Sequence, residues 1–150
     1  MMLVDLVSRS PVAVRPEASV LEAARLMRER KVGSVVVVDE GGAVAGILTD
    51  RDIAMAIADG RFAGAAGPVG EIMTREPVCL PSHTDIERGL AAMRGRGVRR
   101  MPVLNDAGEL IGVVSLDDIV MHMGRSMGEA AELVRDETKG RPEDAWPAAR

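Results

Sequence analysis

Apolar and polar positions along this chain follow one short pattern, and the chain writes it twice. A brief extended segment opens it, Pro11 to Val14, held extended by Pro11 and closed by Pro16. Ser19 then caps a helix. Glu22, three residues on, completes a capping box, and Val20, Ala23, Ala24 and Met27 share one helical face. Val35-Val36-Val37-Val38 is an unbroken β-branched run, which predicts a strand covered on both faces. Asp39-Glu40-Gly41-Gly42 turns the chain, and Val44 to Leu48 returns as the partner strand. An apolar helix, Ile53 to Ile57, closes the unit.

Shifting the sequence by 66 residues lays Arg9-Ser10-Pro11-Val12 on Arg75-Glu76-Pro77-Val78, without a gap through to Met55 on Met121. In the second copy Asp85 is the cap and Ile86, Leu90 and Met93 form the stripe. Gly89, Gly95 and Gly97 weaken that helix, each by up to ~1 kcal/mol against Ala. Met101 to Leu104, the turn Asn105-Asp106-Ala107-Gly108, Leu110 to Val114 and then Ile119 to Met123 complete it. An ungapped repeat of this length means two copies of one supersecondary unit. The expected fold is α/β in the mixed α+β sense, two β-α-β-β-α repeats packed as a pseudo-twofold pair around one core. The expected division is repeat 1 over 1–60, a linker over 61–71, repeat 2 over 72–124, and a C-terminal helix and flexible tail over 125–150. The linker belongs to a stretch, Asp59 to Gly70, rich in Gly and Ala. Ser126 to Val134 is expected to add a helix with Ala130, Leu133 and Val134 inward. From Lys139 the chain reads as a frayed tail, in which Trp146 is either a chain-end residue or a partner contact.

Composition narrows the chemistry. The chain has 150 residues, 47% hydrophobic and 28% charged, with a net charge of −4, so wholesale attraction to nucleic acid is not expected. Aromatic residues make up 1%, which leaves no stacking platform for bases. A single cysteine, Cys79, excludes an internal disulfide and fits a reducing compartment. No apolar run approaches a membrane span, so the expected location is the cytoplasm. Cys79, His83 and His122 have no zinc spacing, and no metal is expected. Catalysis is the weakest class, since no nucleophile–base pair and no phosphate-binding glycine loop stands out.

The chemistry concentrates at two corners, Gly46-Ile47-Leu48-Thr49-Asp50-Arg51-Asp52 and Gly112-Val113-Val114-Ser115-Leu116-Asp117-Asp118. Each runs from a glycine through an apolar strand to a hydroxyl, with a carboxylate three places further. Thr49 with Asp52, and Ser115 with Asp118, fit a capping box. They fit equally a ligand that brings its own hydroxyls and negative charge, because a carboxylate accepts from two hydroxyls at once. Capping and binding are compatible at one residue. Arg94, Arg96, Arg99 and Arg100 set four cations within seven residues of an acidic chain. The first two suit a helix C-terminus. Of Arg99 and Arg100, entering a strand, one must face inward or across the sheet edge, and a buried guanidinium needs an anion, either an internal carboxylate or a ligand phosphate. The helices after the corners are apolar nearly all round, which predicts a second subunit against them, with a thick monomer core as the other option.

A β-α-β-β-α unit ending in Gly-h-h-Thr/Ser-x-x-Asp, present twice, resembles a tandem pair of CBS (cystathionine β-synthase) domains, the Bateman module. The resemblance covers about residues 3 to 123, and Thr49-Asp50-Arg51-Asp52-Ile53 is similar to stand-alone pairs of the hypoxic-response type. It implies a disc-shaped homodimer with clefts for adenosine-containing nucleotides, whether AMP, ADP, ATP or an S-adenosylmethionine-like ligand. By the resemblance, Asp52 and Asp118 take ribose hydroxyls, Thr49 and Ser115 lie beside phosphates, and adenine lies near the backbone of Val12 or Val78. Arg99 and Arg100, ahead of Met101-Pro102-Val103, meet phosphate. The first unit departs from the family here, with Gly33 and Ser34 at those positions and no proline before Val37. The function implied is a regulatory module with a nucleotide as ligand rather than a cofactor, acting on an unidentified protein target. The alternative is a homodimeric structural or stress-response protein whose corners only cap helices.

Overall fold

The computed structural model describes residues 1–7, 11–61 and 66–139. Arg9 and Ser10 of the repeat register, and the tail with Trp146, lie outside the described residues. The first unit comprises β1 (Ala13–Val14), α1 (Val20–Arg30), β2 (Ser34–Val38), β3 (Val44–Thr49) and α2 (Asp50–Ala58). After β4 (Thr74–Arg75) come β5 (Leu80–Pro81), α3 (Ile86–Arg96), β6 (Arg100–Leu104), β7 (Leu110–Ser115) and α4 (Leu116–Lys139). The strands form two sheets, ordered β1-β2-β3-β4 and β5-β6-β7. The expected mixed α+β pair of β-α-β-β-α units is therefore present.

The two units keep one register. Ser34 faces Thr49 across the first hairpin and Arg100 faces Ser115 across the second. Both hairpins turn through a glycine at positive φ, Gly42 at 83° and Gly108 at 79°, a conformation that costs glycine little. The parallel strands differ by one step, and prolines account for it. Ala13 pairs with Val36, but the matching Cys79–Pro102 pair does not form, because Pro102 has no N–H to give. At the other end Pro16 cannot extend β1, whereas Ser82, its counterpart, donates to the Leu104 carbonyl at 2.8 Å.

What joins the halves is an exchange of leading segments. A short 3-10 helix at Leu3–Asp5 precedes the first unit, and its repeat mate at Val69–Glu71 precedes the second. Leu3 is 0% exposed in the core of the second unit, with Leu80, Met93, Met101 and Ile119. Val69, also 0% exposed, packs in the core of the first, with Val20, Ala23, Met27 and Leu48. The bridges match: Met2 pairs with Asp85, and Pro68 with Ser19. Each unit thus completes its neighbour's core, which is the pseudo-twofold relation in contact form.

Several expectations change in the folded chain. The stretch read as a linker is core at its end, where Val69 is buried. Gly89 is more than a weak point in a helix, since a Cβ there would sit 3.1 Å from Leu3 Cδ2. Its absence seats the exchanged leucine. Ser19 accepts from the Glu22 N–H at 3.1 Å, but no return bond from the Glu22 side chain is present among the described residues. The bridge between Ser19 and Pro68 is made on either side of it, by the Val20 N–H donating to the Gly67 carbonyl at 2.9 Å and the Val69 N–H donating to the Ala18 carbonyl at 2.8 Å. Finally, α4 is one helix of 24 residues rather than two segments, and Leu133 and Val134 face outward, because no layer of the described chain reaches that far to cover them.

Gly46 shows how tightly β4 closes on β3. A Cβ at Gly46 would meet the Met73 sulfur and lie 2.9 Å from the Thr74 carbonyl oxygen. The backbone on one side cannot yield as a side chain can. Gly46→Ala should lower stability by about 1–3 kcal/mol in urea unfolding. A cost near zero would mean that β4 is loosely held.

Candidate functional site

Both corners form the full capping box. Thr49 Oγ1 accepts from the Asp52 N–H at 3.1 Å, and Asp52 Oδ2 accepts from the Thr49 N–H at 2.8 Å. In the second corner Ser115 Oγ accepts from the Asp118 N–H at 3.1 Å, and Asp118 Oδ2 accepts from the Ser115 N–H at 3.0 Å. Ser115 Oγ also donates to Asp118 Oδ2 at 2.6 Å. Capping therefore engages one oxygen of each carboxylate. Oδ1 of Asp52 and of Asp118 accepts no hydrogen bond among the described residues. A carboxylate has acceptor sites on both oxygens, so each corner can hold its helix and still receive hydroxyl donors.

A cleft of about 580 Å³ lies between the units. Its wall combines Asp118 and Val113 of the second unit with Pro11, Val12, Lys31 and Ser34 of the first. Asp118 thus faces Val12, not the Val78 of its own unit. One repeat length on, the matching set is Asp52 with Val78 and Arg100. Arg100 lies where that relation puts it. A Cβ on Gly33 would sit 3.1 Å from Arg100 Nη2 and 3.4 Å from Asp50 Oδ2, so the guanidinium crosses to the first unit and lies over Gly33. Arg100 therefore lies beside the Thr49–Asp52 corner of the first unit. Gly33, which looked like a missing phosphate contact, is the space that admits it.

The two arginines have separated fates because alternate strand positions point to opposite sides. Arg99 pairs with Asp117 at 2.8 Å on the exposed side. Arg100 is half-buried, and no carboxylate of the described residues lies within ion-pair distance of it. Arg30 and Lys31, which close α1, were missed as cleft residues. Lys31 stands at φ 54°, where the repeat has Gly97 at 65°, so a lysine holds a conformation that favours glycine. The signal in the sequence was that Lys-for-Gly exchange. Burial pushes the Cys79 thiol pKa up, which keeps it neutral near pH 7. Among the described residues, no group of three His, Cys, Asp or Glu is placed to hold a metal, and no helix is long and apolar enough to cross a membrane.

Two α+β units that exchange leading segments, each with a hydroxyl–carboxylate corner, and a cleft between them lined by one of those corners, define a paired module. The CBS domain profile matches residues 3–59 and again 69–125, and the chain belongs to the CBS domain family as a tandem pair. A CBS domain-containing protein of Bacillus subtilis, YhcV, is 34% identical over 79% of this chain and 82% of its own length. A 17.7 kDa protein of Acidianus ambivalens is 34% identical over 71% of this chain, and the alignment spans 63% of that relative's length. The CBS domain pair of MJ0100, solved with 5′-methylthioadenosine and S-adenosyl-L-methionine, superposes with a TM-score of 0.76 at 26% identity, over 84% of this chain and 98% of that one. PAE2072 of Pyrobaculum aerophilum, solved with AMP, gives 0.73 at 27% identity, over 79% and 89%. Hypoxic Response Protein I gives 0.71 at 25%, over 81% and 98%, in keeping with the resemblance to that type.

Proposed function

We propose that this chain is a regulatory module that binds adenosine-containing nucleotides in the clefts between its two CBS units and acts in trans on a protein partner. The carrying observation is that each corner aspartate caps its helix with one oxygen and keeps the other free, and that Asp118 shares a cleft with the opposite unit's extended segment at Pro11 and Val12. Asp52 and Asp118 take the ribose hydroxyls, and Thr49 and Ser115 stand beside the phosphates. Arg100 supplies the phosphate contact at the Asp52 corner, and Lys31 with Arg30 supplies cations at the Asp118 corner. Arg99 serves as a positioning residue through Asp117. The ligands of the two solved relatives, AMP and the S-adenosylmethionine pair, support this ligand class. The module is placed in the cytoplasm, without catalysis of its own, and the nucleotide is a ligand rather than a cofactor.

The completeness of both capping boxes favours the competing structural reading, in which the corners start helices and bind nothing. Thermal shift separates the two. A nucleotide at 100 times its dissociation constant adds ~2.7 kcal/mol, a melting rise of roughly 5–10 °C for a chain of this size. Flat melting curves with AMP, ATP and S-adenosylmethionine at millimolar concentration would sink the binding reading.

The assembly follows from the outer helices. In α2, Ile53 and Ala56 are buried while Met55 and Ile57 lie open; in α4, Ile119 is buried while Val120, Met121, Met123 and Met127 lie open, Met121 at 63% and Met127 at 72%. A second copy covering these faces accounts for so much exposed apolar side chain. Light scattering should report a dimer, and Met121→Glu should shift it to monomer or aggregate. A wild-type monomer at high micromolar concentration would overturn the dimer.

A further inference from the structure

We infer that the Asp118 cleft takes adenosine ligands with a polyphosphate tail, and that Lys31 is the residue that sets this preference. The inference rests on the nucleotide reading above and assigns the ligand's tail, not its base or sugar, at one of the two sites. Lys31 closes α1 at φ 54° and ψ 46°, a left-handed conformation in which a Cβ is disfavoured. Its repeat mate, Gly97, closes α3 at φ 65° and ψ 30°. The hydrogen bonds that end the two helices are the same. The Lys31 N–H donates to the Arg28 carbonyl at 3.3 Å, and the Val32 N–H to the Met27 carbonyl at 3.0 Å. The Gly97 N–H donates to the Arg94 carbonyl at 3.2 Å, and the Val98 N–H to the Met93 carbonyl at 3.0 Å. Both turns demand a left-handed residue, and only the second uses glycine for it.

Helix capping does not account for a lysine there. Cations favour a helix C-terminus, but Arg28 and Arg30 already stand in the last turn of α1, as Arg94 and Arg96 do in α3. Nor does an internal ion pair account for it. Among the described residues no carboxylate lies within ion-pair range of Arg30 or Lys31. What Lys31 reaches is the cleft. Arg30 and Lys31 line it beside Ser34, and Asp118 is the one carboxylate on its wall among the described residues. A disfavoured backbone that the fold elsewhere gives to glycine is retained where its side chain serves a site.

The other corner has a different charge balance. Asp50 follows Thr49, where Leu116 follows Ser115. Asp50 Oδ2 and Arg100 Nη2 both approach the space above Gly33, at 3.4 and 3.1 Å from a Cβ placed there. A carboxylate beside the arginine offsets its charge, so one phosphate is matched and further phosphates meet a like charge. The Asp118 cleft sets two cations against its single carboxylate, with an uncharged leucine in the place of Asp50. Each added phosphate brings charge that Arg30 and Lys31 can meet. An ammonium on a flexible stem carries three donors, which suits successive phosphate oxygens.

Calorimetry with magnesium-free ATP and AMP tests this in an Asp52→Asn background, which keeps a cap acceptor and leaves the Asp118 corner as the intact site. ATP should bind tighter than AMP by about tenfold or more. Lys31→Gly should weaken ATP by about five- to tenfold and AMP by less than about threefold, since the lysine is exposed and partly screened. Its melting temperature should hold or rise, because glycine suits the turn. Lys31→Arg should keep the ATP preference, whereas Lys31→Asn, neutral and tolerant of left-handed backbone, should lose it. In an Asp118→Asn background ATP and AMP should bind within about threefold of each other. Equal binding of ATP and AMP in the Asp52→Asn protein overturns the tail preference and leaves the nucleotide reading standing. A preference unmoved by Lys31→Gly reduces the lysine to a helix end and overturns its role. An equal loss of AMP and ATP overturns it too, since the lysine would then serve a part that both ligands share. Absence of binding by any adenosine ligand to the wild-type protein overturns both readings together.

Discussion

Arg100→Ala should weaken nucleotide binding by roughly 10–100-fold and leave adenosine nearly untouched. The guanidinium is half-buried over Gly33 with no carboxylate in ion-pair range, so the folded chain leaves a cation without its counter-anion. A phosphate there gains a charge-assisted contact of about 1.5–3 kcal/mol, whereas a ribose or base contact is indifferent to phosphate number. The pairing of sites is the sharper part. Arg100 crosses to the Thr49–Asp52 corner, so Arg100→Ala and Asp52→Asn should act on one binding event, while Asp118→Asn acts on the other. Two-site calorimetry of the single and double variants reads this directly. Coupling of Arg100 to Asp118, or an equal loss of adenosine binding, would show that the arginine has been placed in the wrong cleft.

Leu3→Ala should cost about 2–5 kcal/mol. Leu3 is 0% exposed, rests on Gly89 and completes the core of Leu80, Met93, Met101 and Ile119. At roughly 2–4 °C per kcal/mol, the melting temperature should fall on the order of 4–20 °C. The location of the damage identifies the exchange of segments. Amides of α3 should lose protection from hydrogen exchange before those of α1, although Leu3 precedes the first unit in sequence. Opening of α1 first would mean that the leading segment serves its own unit.

Periodicity and repetition carried most of the architecture. The Val35–Val38 run, the caps Ser19 and Asp85, and the two glycine-closed hairpins are local signals, set by backbone propensity and by hydrogen bonds within a few residues. The repeat register therefore predicted both units and both corner aspartates. Where the halves touch was decided by packing between segments far apart in sequence. No local pattern says that Leu3 fills the second core, that Asp118 faces Val12, or that Arg100 fills the space above Gly33. Each of these is a contact between the two copies, and an internal repeat describes a copy without saying how it meets its mate. The prolines fall between the two cases. Pro16 and Pro102 are visible in the sequence, but that the missing N–H of Pro102 shifts the parallel pairing by one step depends on which strand lies beside it, and only the tertiary structure supplies that neighbour.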